Sequence, residues 1–257
     1  MEIWEVIAVF AAGVGAGAIN TVVGSGTLLT FPVLLAIGLP PLTANVSNNL
    51  GLVPGSISGA IGYRRELAGQ WPLTLRLAAG ALIGGLTGAL LLLTLPSRAF
   101  DAIVPVLVAV ALILVILQPR LSRAVRERRA RNGVDPGGRR HGGPVLFTGV
   151  LLASMYGGYF GAAQGVIYLS LMGLLLNEDL QRINAVKNAL AVVVNGVAAL
   201  VFVFAAELDW FVVGLIAVGS ALGGQIGARV GRRLSPAVLR GVIVAVGTAA
   251  IVMLVLR

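Results

Sequence analysis

Ten apolar runs punctuate this chain, at about 4–22, 26–37, 44–63, 72–95 and 99–117, then at about 145–162, 165–176, 183–205, 211–229 and 237–256. Crossing about 30 Å of hydrocarbon takes about 20 helical residues, and most of the runs are long enough. Two are short, 26–37 and 165–176, and each follows a break: Gly24-Ser-Gly26 in one case, Ala163-Gln-Gly165 in the other. Tilted spans, discontinuous helices and re-entrant hairpins all fit such runs. The pattern predicts an all-α polytopic membrane protein with short or broken helices near the midplane.

The polar positions repeat. Shifted by 139 residues, Trp71 falls on Trp210, Gly26 on Gly165, and Gly80, Gly84, Gly85 and Gly88 on Gly219, Gly223, Gly224 and Gly227. The polar start of the third run repeats as well: Asn45 falls on Asn184, Asn49 on Asn188 and Asn48 on Lys187. The match runs without a gap. It divides the chain into a first transmembrane repeat (1–117), a connector (118–143) and a second repeat (144–257), with about five hydrophobic segments per repeat.

Loop charge orients the halves. Tyr63-Arg-Arg-Glu66 is basic where its counterpart, Ala205-Ala-Glu-Leu-Asp209, is acidic; Arg229, Arg232 and Arg233 form a basic loop where 90–95 is uncharged. Basic loops stay in the cytoplasm, so equivalent loops lie on opposite sides and the repeats have inverted topology. The connector holds eight arginines (120, 123, 126, 128, 129, 131, 139 and 140) with Pro119 and Pro136. It reads as cytoplasmic, mobile or helical only in part, and anchored on anionic lipid. Both termini then lie outside. Inverted repeats typify secondary transporters, with the site near the midplane.

Composition narrows the function. Of 257 residues, 58% are hydrophobic and 11% charged, against about 25% charged in soluble domains. The net charge of +9 gathers in the connector, where it reports topology rather than nucleic acid. Glycine is frequent at 35 residues, as helix packing in lipid favours. With no cysteine and one histidine, His141, the chain lacks the material for a zinc cluster or a histidine-based catalytic triad. No enzyme, metal site or cofactor is expected. Asp101 and Arg240, in matching positions, read as interfacial charges, and Glu178 and Asp179 as a solvated turn. The acidic start Met1-Glu-Ile-Trp-Glu5 lacks the basic region of a cleaved signal peptide.

The binding candidates cluster on the repeated helix starts, 43–49 and 182–188. Free backbone N–H groups and the positive dipole end favour anions there, with Thr43 or Asn45 capping the first helix and Asn184 the second. Thr43, Asn45, Asn48, Asn49, Asn184, Lys187 and Asn188 are the primary candidates; Ser25, Gln164 and Asn195 extend the set. Gly24, Gly26 and Gly165 permit the breaks. Two bland roles stay open: the asparagines as inter-helix bonds worth about 0.6 kcal/mol each, and Lys187, the sole lysine, snorkelling to the interface.

The chain resembles the TauE/SafE sulfite exporter family of the TSUP superfamily. The resemblance rests on Gly13-Val-Gly-Ala-Gly17, Asn20, Gly24-Ser-Gly26, Pro32, Thr43-Ala-Asn-Val-Ser-Asn-Asn49, Gly157-Gly-Tyr-Phe-Gly161 and Arg182-Ile-Asn-Ala-Val-Lys-Asn188. Thr21-Val-Val23 interrupts the longer glycine run usual in the family's first half. The resemblance implies transport of sulfite, sulfoacetate or related organosulfonates, generally outward, across the inner (plasma) membrane. The residues themselves reach only a transporter of some small anion or ion, with a non-transporting membrane scaffold as the alternative of another class. Reporter fusions test the orientation: both termini should report an extracytoplasmic position, and a cytoplasmic terminus would overturn the inverted arrangement.

Overall fold

The computed structural model describes residues 1–132, 142–230, 241, 243–249 and 251–252. Pro136, Arg139, Arg140, His141, Arg232, Arg233 and Arg240 lie outside the described residues. The described elements are all helices: α1 (Ile3–Val22), α2 (Thr27–Ala36), α3 (Pro41–Gly62), α4 (Arg64–Leu67), α5 (Trp71–Thr94), α6 (Ser97–Asn132), α7 (Gly143–Tyr159), α8 (Gln164–Leu175), α9 (Leu180–Ala205) and α10 (Trp210–Val230). Five are long and apolar enough to cross a membrane: α1, α5, α6 over Arg98–Leu121, α9, and α10 over Trp210–Arg229. The chain is a multi-pass membrane protein. Pro41, Pro72 and Pro144 sit in the first turns of α3, α5 and α7, where a missing N–H goes unmissed. Helix α6 continues through Pro119 to Asn132, so the first part of the connector is helical.

Glycine governs the packing. Helix α5 lies along α7, and α10 along α1; α3 packs on α9 and α10, and α9 also on α5. A Cβ on Gly84 or Gly88 would strike the Leu151 or Met155 carbonyl of α7, and one on Gly223 or Gly227 the Val14 or Ala18 carbonyl of α1. Small residues let helix backbones touch where lipid supplies no hydrophobic force between helices. Trp71 and Trp210, exposed at the starts of α5 and α10, suit the membrane interface.

Both helices that precede the short ones end inside the protein. Gly24 (φ 84°) stops α1 with its N–H on the Ile19 carbonyl at 3.1 Å, and Gly161 (φ 77°) stops α7 with its N–H on the Tyr156 carbonyl, also at 3.1 Å. Left-handed glycine caps end helices in this way. Gly161 stands 137 residues after Gly24, which corrects the ungapped repeat: the cap glycine decides where each helix stops. Helix α8 has 12 residues against 10 in α2, and this absorbs the slip. The 139-residue spacing then holds from Pro41 to Leu180 and from Trp71 to Trp210.

A helix that ends away from water leaves carbonyls needing donors. Asn45 of α3 donates its Nδ2 to the Tyr159 carbonyl at the end of α7 (3.0 Å). Helix α9 serves α1 with three side chains. Lys187 Nζ donates to the Asn20 (2.8 Å) and Thr21 (3.0 Å) carbonyls, and Asn184 and Asn188 each donate to the Thr21 carbonyl at 3.2 Å. The two breaks touch at glycine, with the Gly165 N–H donating to the Gly24 carbonyl at 3.0 Å. A Cβ on either glycine would run into the other's Cα.

This inventory orders the asparagine substitutions. Asn45→Ala leaves the Tyr159 carbonyl without its donor and should cost about 1–3 kcal/mol, as a buried unsatisfied group does. Asn188→Ala should cost less, because the Thr21 carbonyl keeps Lys187 and Asn184. Thermal unfolding of the purified full chain compares the two, and an equal or larger loss for Asn188→Ala would refute the redundancy.

Candidate functional site

The breaks enclose a small cavity of about 20 Å³, lined by Asn20, Thr27, Gln164, Tyr168, Lys187 and Asn195, with Gly24, Leu52, Gly161, Gly165 and Ala191 completing its wall. It has room for about one water. Helix α2 begins after Gly26 and α8 after Ala163 (φ 59°), neither with a side-chain cap. Two helix N-termini, each the positive end of a dipole, therefore belong to the joined breaks around this cavity.

The helix starts that border this cavity are thus those of α2 and α8, and not the 43–49 and 182–188 starts on which the binding candidates cluster in the sequence. Helix α3 begins at Pro41, preceded by Pro40 without a side-chain cap, and α9 at Leu180, where Asp179 accepts the Gln181 N–H at 2.8 Å. Thr43, Asn45 and Asn184 are therefore not caps; they lie inside helices whose turns have already begun. In the exposed turn before α9, Asp179 caps the helix and Glu178 pairs with Arg182 at 2.9 Å.

Lys187 departs furthest from its bland reading. It is 1% exposed, so its ammonium does not snorkel to the interface; it turns inward to the last carbonyls of α1. A cation at a helix C-terminus meets the negative dipole end. Two of its N–H groups serve Asn20 and Thr21, and its side chain borders the cavity.

Opposite it, a hydrogen-bond chain orients Gln164. Ser154 Oγ lies against the Val150 carbonyl, which can only accept, so its proton goes there. The Tyr168 hydroxyl, 2.6 Å from Ser154 Oγ, must then donate to it and accept from Gln164 Nε2 at 2.7 Å. Gly157 clears the space for this amide, since a Cβ there would collide with it. Asn195 Nδ2 donates to Ser56 Oγ at 3.0 Å, a bond between residues 139 apart and hence matched in the repeat. Beyond the breaks, Phe31 and Phe160 meet edge to face at 5.3 Å, and Phe100 joins Tyr159 and Phe160 at 5.8 and 6.4 Å.

Of the sequence candidates, Gln164, Lys187, Asn195, Gly24 and Gly165 border the cavity. Asn45, Asn184 and Asn188 hold break carbonyls. Asn48 is held against α2, accepting from the Thr30 hydroxyl and donating to Thr27 Oγ1 at 3.4 Å. Gly26 lies against the Ala16 carbonyl. Ser25 is buried with its hydroxyl unpaired among the described residues, as are the amide oxygens of Asn49 and Asn184. Thr43 is half-buried and outside the cavity wall. Asn20, Thr27 and Tyr168 escaped sequence reasoning as site residues. Their signals were available: Asn20 and Thr27 flank the first break as polar residues in apolar sequence, and Tyr168 stands one turn after Gln164.

Comparison with known proteins places this architecture. A family model described as "Sulfite exporter TauE/SafE" matches residues 9–254. Among similar proteins, the probable membrane transporter protein YfcA of Escherichia coli (strain K12) is 29% identical over 211 residues, 82% of this chain and 74% of its own length. The probable membrane transporter protein ORF9 of Sinorhizobium sp is 30% identical over 222 residues, 84% of this chain and 79% of its own. A probable membrane transporter protein of Haemophilus influenzae is 24% identical over 219 residues, 84% and 81% of the two chains. No solved structure matches. This multi-pass protein of the plasma membrane belongs to the TauE/SafE sulfite exporter family of membrane transporters.

Proposed function

We propose that the chain is a secondary transporter that moves a small sulfur-containing anion, sulfite or an organosulfonate, outward by alternating access. The observation that carries this reading is the meeting of two helix breaks around a polar cavity bordered by the buried Lys187. Helix N-termini and a buried ammonium together form an anion site.

The helix lengths support a midplane position for it. At 1.5 Å per residue, α2 and α8 are roughly 15 and 18 Å long, each about half of a 30 Å hydrocarbon layer. In the inverted arrangement, with 1–117 and 144–257 as opposed repeats and 118–143 cytoplasmic, α1 and α2 enter from outside. Helices α7 and α8 enter from the cytoplasm, and the tips meet. The Phe31–Phe160–Phe100 cluster lies toward the start of α6, on the outward side of this topology, and closes that path. Lys187, in the third turn of α9, lies toward the cytoplasm. A sulfur oxyanion needs more space than one water, so loading has to part the two tips. Their single glycine-to-glycine bond is a small obstacle to that motion.

The purified chain should be stabilised against heat by sulfite or a simple organosulfonate through ligand linkage and should move the same anions in proteoliposomes. Lys187→Met should remove both effects. A chain stabilised by acetate or sodium and indifferent to sulfur oxyanions would defeat the substrate assignment. Flux unchanged by Lys187→Met would defeat the site.

A further inference from the structure

We propose that this site takes its anion with a single negative charge, so that the form carried is hydrogensulfite or an organosulfonate monoanion rather than the sulfite dianion. The inference rests on the transporter reading above, and its experiment separates the two.

The first observation is a charge inventory. Among the described residues, Lys187 is the one charged side chain that is buried. The other residues named on the cavity wall are uncharged: Asn20, Thr27, Gln164, Tyr168 and Asn195. The acids closest in sequence are engaged elsewhere, Glu178 with Arg182 and Asp179 with the first turn of α9. Asp209 is used in the same way at the start of α10, accepting the Val212 N–H at 3.0 Å. No described carboxylate balances Lys187, so its ammonium supplies one positive charge and nothing around it supplies a second.

The second observation concerns the donors. Two Lys187 N–H groups are on the Asn20 and Thr21 carbonyls, which leaves the third for a ligand. One ammonium and one monoanion make a neutral pair. A dianion in the same place leaves a net negative charge buried in an apolar surround, where an unbalanced charge is strongly disfavoured. Helix dipole ends lessen that penalty without supplying a whole charge, because each amounts to roughly half an elementary charge shared with its first turn.

The third observation favours an anion that carries a proton. Ser154 and Tyr168 fix the Gln164 amide with its nitrogen toward the Tyr168 hydroxyl. The amide oxygen is not claimed by that chain, and it is an acceptor on a residue that borders the cavity. Hydrogensulfite has a proton to donate; sulfite and sulfate dianions have none.

Chlorate provides a direct test. It has the pyramidal shape and the electron count of the sulfite dianion but one charge fewer, and it does not titrate near neutrality. Thermal stabilisation of the purified full chain is measured at one pH with chlorate and methanesulfonate as monoanions, sulfate and thiosulfate as dianions, and hydrogensulfite. Chlorate and methanesulfonate should act at concentrations at least tenfold below those needed for sulfate or thiosulfate. Asn195→Lys, which adds a second cation to the wall, should bring sulfate to within tenfold of chlorate.

Sulfate or thiosulfate acting as well as chlorate on the unaltered protein would overturn the charge rule; the sulfur-anion reading would stand if hydrogensulfite also acts. Chlorate acting while hydrogensulfite and methanesulfonate do nothing would keep the charge rule and end the sulfur-anion reading. Indifference to every anion would overturn both.

Discussion

A helix that ends buried inside a membrane protein must have its last carbonyls satisfied by protein, because lipid offers no donor. That constraint explains more of this structure than any other. It accounts for the amides of Asn45, Asn184 and Asn188, for the inward turn of Lys187, and for the glycine caps at Gly24 and Gly161. It also ties the halves together. The donors for α1 come from α9 and the donor for α7 comes from α3, so neither half of the chain completes its own break.

The same donors set up the chemistry. Lys187 is held at the edge of the cavity because it closes α1, and a residue needed for the fold thereby becomes the charge in the site. The residue that closes α1 and the charge of the proposed site are the same side chain. The glycine faces act at a different level: Gly84 and Gly88 on α7, and Gly223 and Gly227 on α1, allow the close approach that holds each break in position. Where the two breaks touch, Gly24 and Gly165 admit no side chain at all.

This arrangement separates a geometric demand from an electrostatic one. Carbonyl satisfaction is geometric: one amide, that of Asn45, serves the end of α7, whereas Lys187, Asn184 and Asn188 serve the end of α1. Charge in the cavity is different, since one ammonium sets the balance for whatever enters. The rest of the polar wall, Thr27, Gln164, Tyr168 and Asn195, is uncharged.

The all-helical membrane class, the two short segments and the family motifs were legible in residue order, because lipid imposes apolar runs of known length and breaks need glycine. The repeated asparagines pointed to one shared region for the same reason: polar groups at that depth are costly unless used. Sequence alone could not say which carbonyls they serve, because those lie on the other half of the chain, more than a hundred residues away. It also pointed to the starts of α3 and α9, whereas the cavity lies at those of α2 and α8, and it ran the repeat through the breaks without a slip. Helix caps depend on where a glycine adopts left-handed geometry, and the position of Lys187 depends on which carbonyl is within its reach. Local pattern determined the elements; contact between distant breaks, which only tertiary packing creates, decided the site.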